Sequence, residues 1–175
     1  RLILRAFRGI EKMLITKIEE TSVPLREYYR ERAFRGLFLT NAQKQNLVPG
    51  ETKYVNFEPD IQRYYVKGWN SINVDRLPSK NKKKRAKKTL ASKLVFKVLR
   101  GKDLVIVADW KGEYLTPTNV NNVILKPEYS DYLFSLCAIL NSPLASYYVQ
   151  KMIFFETTES ARHLDYIYVG ESAII

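Results

Sequence analysis

Apolar residues recur at helical spacing in two stretches of the chain. Ile10, Leu14 and Ile18 predict a helix over residues 9–20. Ser22-Val23-Pro24-Leu25 ends it, because proline disfavours helix at the residue before it. Residues 25–34, dense in Arg and Glu, predict a further helical turn, so residues 1–35 read as entry helices. The second stretch carries Tyr132, Leu133, Leu136 and Leu140, then Leu144, Tyr147, Tyr148 and Met152. Asn141-Ser142-Pro143 interrupts it. Serine caps helix N-termini and proline suits the first helical position. Residues 129–155 therefore predict an α-hairpin.

Between these stretches, short runs of β-branched and aromatic residues are separated by Gly, Pro and Asn. They predict strands near Leu37–Leu39, Lys53–Phe57, Ile61–Val66, Ile72–Val74, Leu94–Leu99, Leu104–Ala108, Glu113–Thr116 and Asn122–Leu125. Arg100-Gly101-Lys102-Asp103 and Trp110-Lys111-Gly112 predict turns. Many short strands with regular turns mean a β-rich portion, residues 36–128, rather than alternating βαβ units. A basic connector, residues 80–90, crosses it, either partly helical or disordered. The class is α+β in a single domain over residues 1–175. The chain opens on Arg and closes on apolar residues, and the expectation is a fragment of a longer protein.

Composition narrows the function classes. The chain carries 29 Lys+Arg against 18 Asp+Glu, a formal charge of +11. One cysteine, Cys137, and one histidine, His163, exclude a disulfide framework and a Cys- or His-rich metal site. Cys137 reads as a small buried hydrophobe. The apolar run Tyr132–Leu140 is too short to span a bilayer. The expected setting is cytoplasmic, away from membranes.

The excess charge sits in one segment. Leu77–Lys102 holds eleven basic residues and no acid, and the remainder of the chain is formally neutral. Such a block suits a polyanion, whose displaced counterions drive binding at low salt. A lysine run by itself also fits a solvated loop or a nuclear-localisation signal. Two features favour nucleic acid. The run leads into an apparent strand flanked by Lys93, Lys97 and Arg100. Arg63, Tyr64, Tyr65, Trp69, Asn70 and Trp110 surround it in sequence. Arg and Asn read base edges, and aromatic rings stack on unpaired bases.

The usual catalytic signatures are missing. There is no GxGxxG, P-loop, nucleophile elbow or Asn/Asp-Pro-Pro-aromatic motif. His163 reads as a surface histidine or a polar cap. One constellation imitates a metal-dependent nuclease: Pro59-Asp60, then Asp109-Trp110-Lys111. There, two carboxylates hold Mg²⁺ and a lysine activates water, with Glu58 or Glu113 as a further ligand. The bland alternative is that Asp60 starts a strand and Asp109 ends one.

Several segments together resemble one family. Leu136-Cys137-Ala138-Ile139-Leu140-Asn141-Ser142-Pro143-Leu144 with Tyr147-Tyr148 is similar to the "LNS-x-L" hairpin of the C-terminal specificity domain of TaqI-like adenine-N6 DNA methyltransferases, including type IIG restriction–modification enzymes. Ser92–Phe96, Leu104–Asp109 and Gly112-Glu113-Tyr114 resemble its "PKI(V)…D…G-x-Y" region. Asp60-Ile61-Gln62-Arg63-Tyr64 resembles "DI-x-R-Y". Ile18-Glu19 with Ser22–Leu25 resembles its "I-E…S-x-PL" entry helix. The segments run in the family's order over most of the chain. Ala33–Phe38 departs from the family's glycine-containing loop.

The resemblance implies an irregular double β-helix-like portion followed by the α-hairpin. It implies a target-recognition domain on double-stranded DNA, beside an upstream methyltransferase domain of the same chain. S-adenosylmethionine and the catalytic motif belong to that upstream domain, so no cofactor and no catalytic residue are expected here. Lys82, Lys83, Lys84, Arg85, Lys87 and Lys88 are the expected DNA-backbone contacts. Arg63, Trp69, Asn70 and Lys111 are the expected groove contacts. The other functions left open are the Mg²⁺ nuclease and a basic RNA- or protein-binding module.

Overall fold

The structure, a computed structural model, describes residues 9–31, 33–56, 59–97, 104–152 and 173–174. The predicted first helix is present as α1 (Gly9–Thr21). Its buried residues are Ile15 and Ile18, while Ile10 faces solvent, so the buried stripe is rotated from the predicted one. Strand β1 (Val23–Pro24) follows. In place of the helical turn predicted for residues 25–34 comes one 3-10 turn, Leu25–Tyr28, and then β2 (Phe34–Arg35). The Leu37–Leu39 strand is reduced to a bridge between Leu37 and Pro117.

Next come α2 (Asn41–Gln45), β3 (Thr52–Tyr54), β4 (Ile61–Gln62), β5 (Tyr65–Val66) and β6 (Asn70–Ile72). The predicted Ile61–Val66 strand is thus a hairpin, β4 and β5, turning at Arg63-Tyr64. The basic connector is the regular helix α3 (Lys80–Thr89). Then follow β7 (Lys93–Lys97), β8 (Ile106–Asp109), β9 (Tyr114–Leu115) and β10 (Val120–Val123). The chain continues into α4 (Leu133–Leu140), α5 (Pro143–Met152) and β11 (Ala173–Ile174). The predicted turn at 100–103, the ends of two predicted strands, the last residues of the α-hairpin and His163 lie outside the described residues.

The architecture is α+β. A four-stranded antiparallel sheet has the order β2-β10-β7-β8. A three-stranded sheet, β6-β3-β9, pairs β3 with β9 in parallel. The α4–α5 hairpin covers one face of the four-stranded sheet. Leu94, Phe96, Ile106 and Val123 meet Leu133, Leu136, Cys137, Leu140, Ala145 and Val149 there. The opposite face buries Val95, Val107 and Val120 with Val55 and Ile61. With both faces covered, β7 reads as a continuous apolar run rather than an alternating one. Burial pushes the Cys137 thiol up to about 11, as befits a small core residue.

Asn141 locks the hairpin to the sheet. β8 is an edge strand, and the Ile106 N–H and C=O face away from β7. The Asn141 carboxamide meets both: Oδ1 accepts from Ile106 N at 3.0 Å, and Nδ2 donates to Ile106 O at 2.8 Å. Nδ2 also donates to Cys137 O at 2.9 Å, closing the end of α4. Ser142 Oγ then accepts from Ala145 N at 3.1 Å and caps α5, which begins at Pro143 as predicted. Ser146 Oγ accepts from Leu104 N at 3.0 Å. Among the described residues, no helix is long and apolar enough to cross a membrane.

Candidate nucleic-acid interface

Helix α3 has the sequence KNKKKRAKKT, which would not hold a helix in isolation. Like charges at i,i+4 repel, and lysines near the N-terminus oppose the helix dipole. Docking supplies the stability. Ser79 Oγ caps the first turn by accepting from Lys82 N at 3.3 Å. Ala86 and Thr89 are buried, with Ala86 against Tyr54, Ile72 and Leu115.

Three of the six expected backbone-contact residues are part of that docking. Lys82 donates to Gln43 on α2. Arg85 donates through Nε and Nη2 to Arg35 O, at 3.0 and 2.6 Å. Lys88 pairs with Glu31 at 2.9 Å and lies 4.2 Å from the Phe34 ring centroid. Their ammonium and guanidinium groups are thus spent on holding the helix down. Lys83, Lys84 and Lys87, together with Lys80, have no ion-pair or hydrogen-bonding side-chain partner among the described residues. Lys80, Lys84 and Lys87 fall at i, i+4 and i+7, so they form one stripe about 10 Å long.

The expected groove residues sit elsewhere. In the three-stranded sheet, the register puts Tyr54, Ile72 and Leu115 on the face that α3 covers. Lys53 and Tyr114 occupy the other face, and Trp69 joins them. The Trp69 and Tyr114 ring centroids are 6.1 Å apart. Lys53 Nζ lies 4.9 Å from the first and 5.6 Å from the second, a cation–π arrangement. Lys53 also donates to Glu113 Oε2 at 2.7 Å. That bond holds the Lys53 pKa above its ordinary value and the Glu113 carboxyl below its own. Lys111 approaches the same carboxylate at 4.0 Å and lies over Trp110. Trp69 and Lys111 are therefore linked through Lys53 and Glu113. Asn70 pairs with Tyr54 at the exposed edge of the sheet. The lysine stripe and the Trp69–Lys53–Glu113–Lys111 network thus lie on opposite faces of one sheet.

Arg63 occupies the turn of the β4–β5 hairpin, followed by Tyr64 with φ of 73°. A left-handed backbone costs a bulky residue about 1–2 kcal/mol. The conformation is held by Tyr64 N donating to Ile106 O at 3.0 Å, on the edge strand that Asn141 fixes. Tyr64 and Tyr65 expose more than half of their surface.

The nuclease constellation takes a different form from the one its sequence imitates. Asp109 is buried on β8 directly opposite Lys93 of β7, which is fully buried and bonded to it. Asp109 Oδ1 accepts from Glu113 N and Oδ2 from Tyr114 N, each at 3.0 Å. Lys93 also donates to Tyr114 O at 2.9 Å. Burial pulls the Lys93 pKa down while Asp109 pushes back. Asp60 accepts from Asn56 N at 2.7 Å and from Asn56 Nδ2 at 2.9 Å. Both carboxylates organise turns. Among the described residues, no group of three or more His, Cys, Asp and Glu side chains could hold a metal ion.

Sequence reasoning missed three features. Lys93 reads in sequence as part of the basic block, because a lysine facing an aspartate on the neighbouring strand is invisible without the register. The positive φ at Tyr64 has no signal in sequence, because Arg63-Tyr64 carries no turn residue. Helix α2 was missed, although Thr40 and Gln43 form a capping box that was readable as T-x-x-Q. No family model matches the chain, and no curated protein matches it.

Proposed function

We propose that the chain is a DNA target-recognition domain of a restriction–modification enzyme, working beside an adenine-N6 methyltransferase domain. One observation carries the reading. The lysine run is a docked helix with its outward stripe of Lys80, Lys84 and Lys87 held in place, rather than a loose charged loop. The three outward lysine side chains can each reach one backbone phosphate of a duplex. Phosphate contacts of this kind set register but carry no sequence information. Base reading falls to Arg63 at the hairpin turn and Asn70 at the exposed sheet edge; Trp69 and Lys111 lie on the sheet face opposite the stripe, so contact by them requires the duplex to pass round that edge.

The ordered family-like segments support the same reading, because two of them have identifiable structural work. The Asn141-Ser142-Pro143 segment joins the helices to the sheet, and Asp109 with Gly112-Glu113-Tyr114 forms the turn after β8. The finer double β-helix-like description of residues 36–128, the S-adenosylmethionine site on the upstream domain and the cytoplasmic setting belong to this proposal. In it, the catalytic partner extrudes an adenine from the stack, and this domain fixes which one.

The test is selection of duplexes from a random pool by the full chain. Enrichment of a short site, relaxed at one position by Arg63→Ala or Asn70→Ala, is the expected result. Equal recovery of all sequences would refute sequence recognition. Preference for RNA over duplex DNA would replace DNA as the partner.

A further inference from the structure

The β4–β5 hairpin carries its bulkiest group where the backbone is least tolerant of one. A two-residue turn with positive φ at its second position calls for Gly or Asn. Tyr64 stands there with φ of 73° and 54% exposed. Its ring makes no aromatic, cation–π or hydrogen-bonding contact among the described residues. No ring or polar contact therefore accounts for the tyrosine, and more than half of its surface is open. The tip is nonetheless rigidly based: Tyr64 N donates to Ile106 O, the same carbonyl that accepts from Asn141 Nδ2. The hairpin is thereby fastened to the edge of the four-stranded sheet. Tyr65, next in sequence, is also exposed. Sparsely populated backbone conformations persist where the surroundings over-determine them, and they gather at ligand contacts.

From this we infer that Tyr64 is a stacking wedge. Its ring inserts at a step of duplex DNA where base stacking is already broken and lies against the exposed face of a nucleobase. A flat aromatic ring on a pinned two-residue turn suits this partner. Stacking on a base needs one open π-face and no hydrogen-bond register, and a base left without a neighbour offers such a face. The inference rests on DNA being the partner, as proposed above, and it adds a role that phosphate contacts cannot fill.

The experiment compares binding of the full chain to a matched duplex and to the same duplex with one abasic site. The abasic duplex supplies an unstacked step without the catalytic partner. The native chain is expected to favour it by about ten-fold, the scale of one base–aromatic stack. Tyr64→Phe keeps that preference. Tyr64→Gly and Tyr64→Asn abolish it and unfold at the same or higher urea, because both residues tolerate positive φ. Preference retained in Tyr64→Gly would overturn the wedge. So would marked destabilisation by that substitution, which would make the ring a packing group. Native binding to both duplexes without preference would remove the wedge and leave the DNA-binding proposal standing. No binding to either duplex at low salt would remove both.

Discussion

Replacing Asn141 by Ala should weaken the whole fold, because one buried side chain joins its two main layers. The carboxamide makes three bonds to backbone groups and a weaker one from Nδ2 to Cys137 Sγ at 3.5 Å, and they are not equivalent. Ile106 O keeps the N–H of Tyr64 at 3.0 Å, and Cys137 O keeps the backbone N–H of Asn141 at 3.1 Å. Ile106 N–H loses its acceptor and is left buried at the sheet edge. An orphaned buried donor costs about 1–3 kcal/mol, and the small void left by the carboxamide adds roughly 1 kcal/mol. The expected loss is therefore about 2–4 kcal/mol. With a urea m-value of about 2 kcal/mol/M, the midpoint falls by roughly 1–2 M. Asn141→Asp should be no better. One oxygen can still accept from Ile106 N–H, but the other then faces two carbonyls with no proton to offer. The assay is urea unfolding followed by tryptophan fluorescence and far-UV circular dichroism. A loss below about 1 kcal/mol in Asn141→Ala would refute the claim that this amide closes the edge of β8.

Further outcomes follow from other buried groups. Burial raises the Tyr54 pKa from 10.0 to about 12, and its hydroxyl has no partner among the described residues. The folded state therefore binds this proton more tightly: its contribution is complete below pH 10 and is lost between pH 10 and 12, on the order of 3 kcal/mol. Tyr54→Phe should leave neutral-pH stability unchanged or slightly higher and should reduce the alkaline loss, read by urea midpoints from pH 8 to 12. Lys93→Met strands the buried Asp109 carboxylate and should cost about 3–5 kcal/mol. Adding Asp109→Leu should not restore stability, because Asp109 also holds the N–H groups of Glu113 and Tyr114; full recovery of the thermal midpoint in the double variant would contradict this. Arg85→Ala should loosen α3 and raise hydrogen exchange along Lys80–Thr89, because both guanidinium bonds to Arg35 O disappear; unchanged protection would show that the buried Ala86 and Thr89 suffice.

What the sequence discloses depends on the range of the interaction. Helix α1 and the α4–α5 hairpin were legible because apolar spacing and the Ser142-Pro143 start signal are local. Three strands of the four-stranded sheet, β7, β8 and β10, were found within a few residues, because β-branched runs bounded by Gly and Asn are also local; β2 lay in a segment read as helical. The Ile61–Val66 run concealed its turn, since Arg63-Tyr64 carries no turn chemistry and the strain is imposed by Ile106. Helix α3 was undecided because its composition opposes helix. Its stability comes from Arg35, Gln43 and Glu31, far away in the chain. The charge footprint was legible as a sum, but not its division. Only the fold separates the lysines that hold α3 down from those that face outward. Lys93 shows the limit most clearly: it was counted with the surface charge yet is an interior cation paired across the sheet.

The most direct test of the DNA-binding proposal is the salt dependence of duplex binding by the intact chain. The native chain is compared with Lys80→Glu/Lys84→Glu/Lys87→Glu and with Lys82→Gln/Arg85→Gln/Lys88→Gln, with folding of each verified by circular dichroism. Each phosphate contact contributes about 0.9 to the slope of log K against log salt. The outward triple should therefore weaken binding to all duplexes alike and flatten the slope by about 3. The inward triple should mainly lower the thermal midpoint and change the slope far less. A slope and affinity unchanged in the folded outward triple would contradict the account.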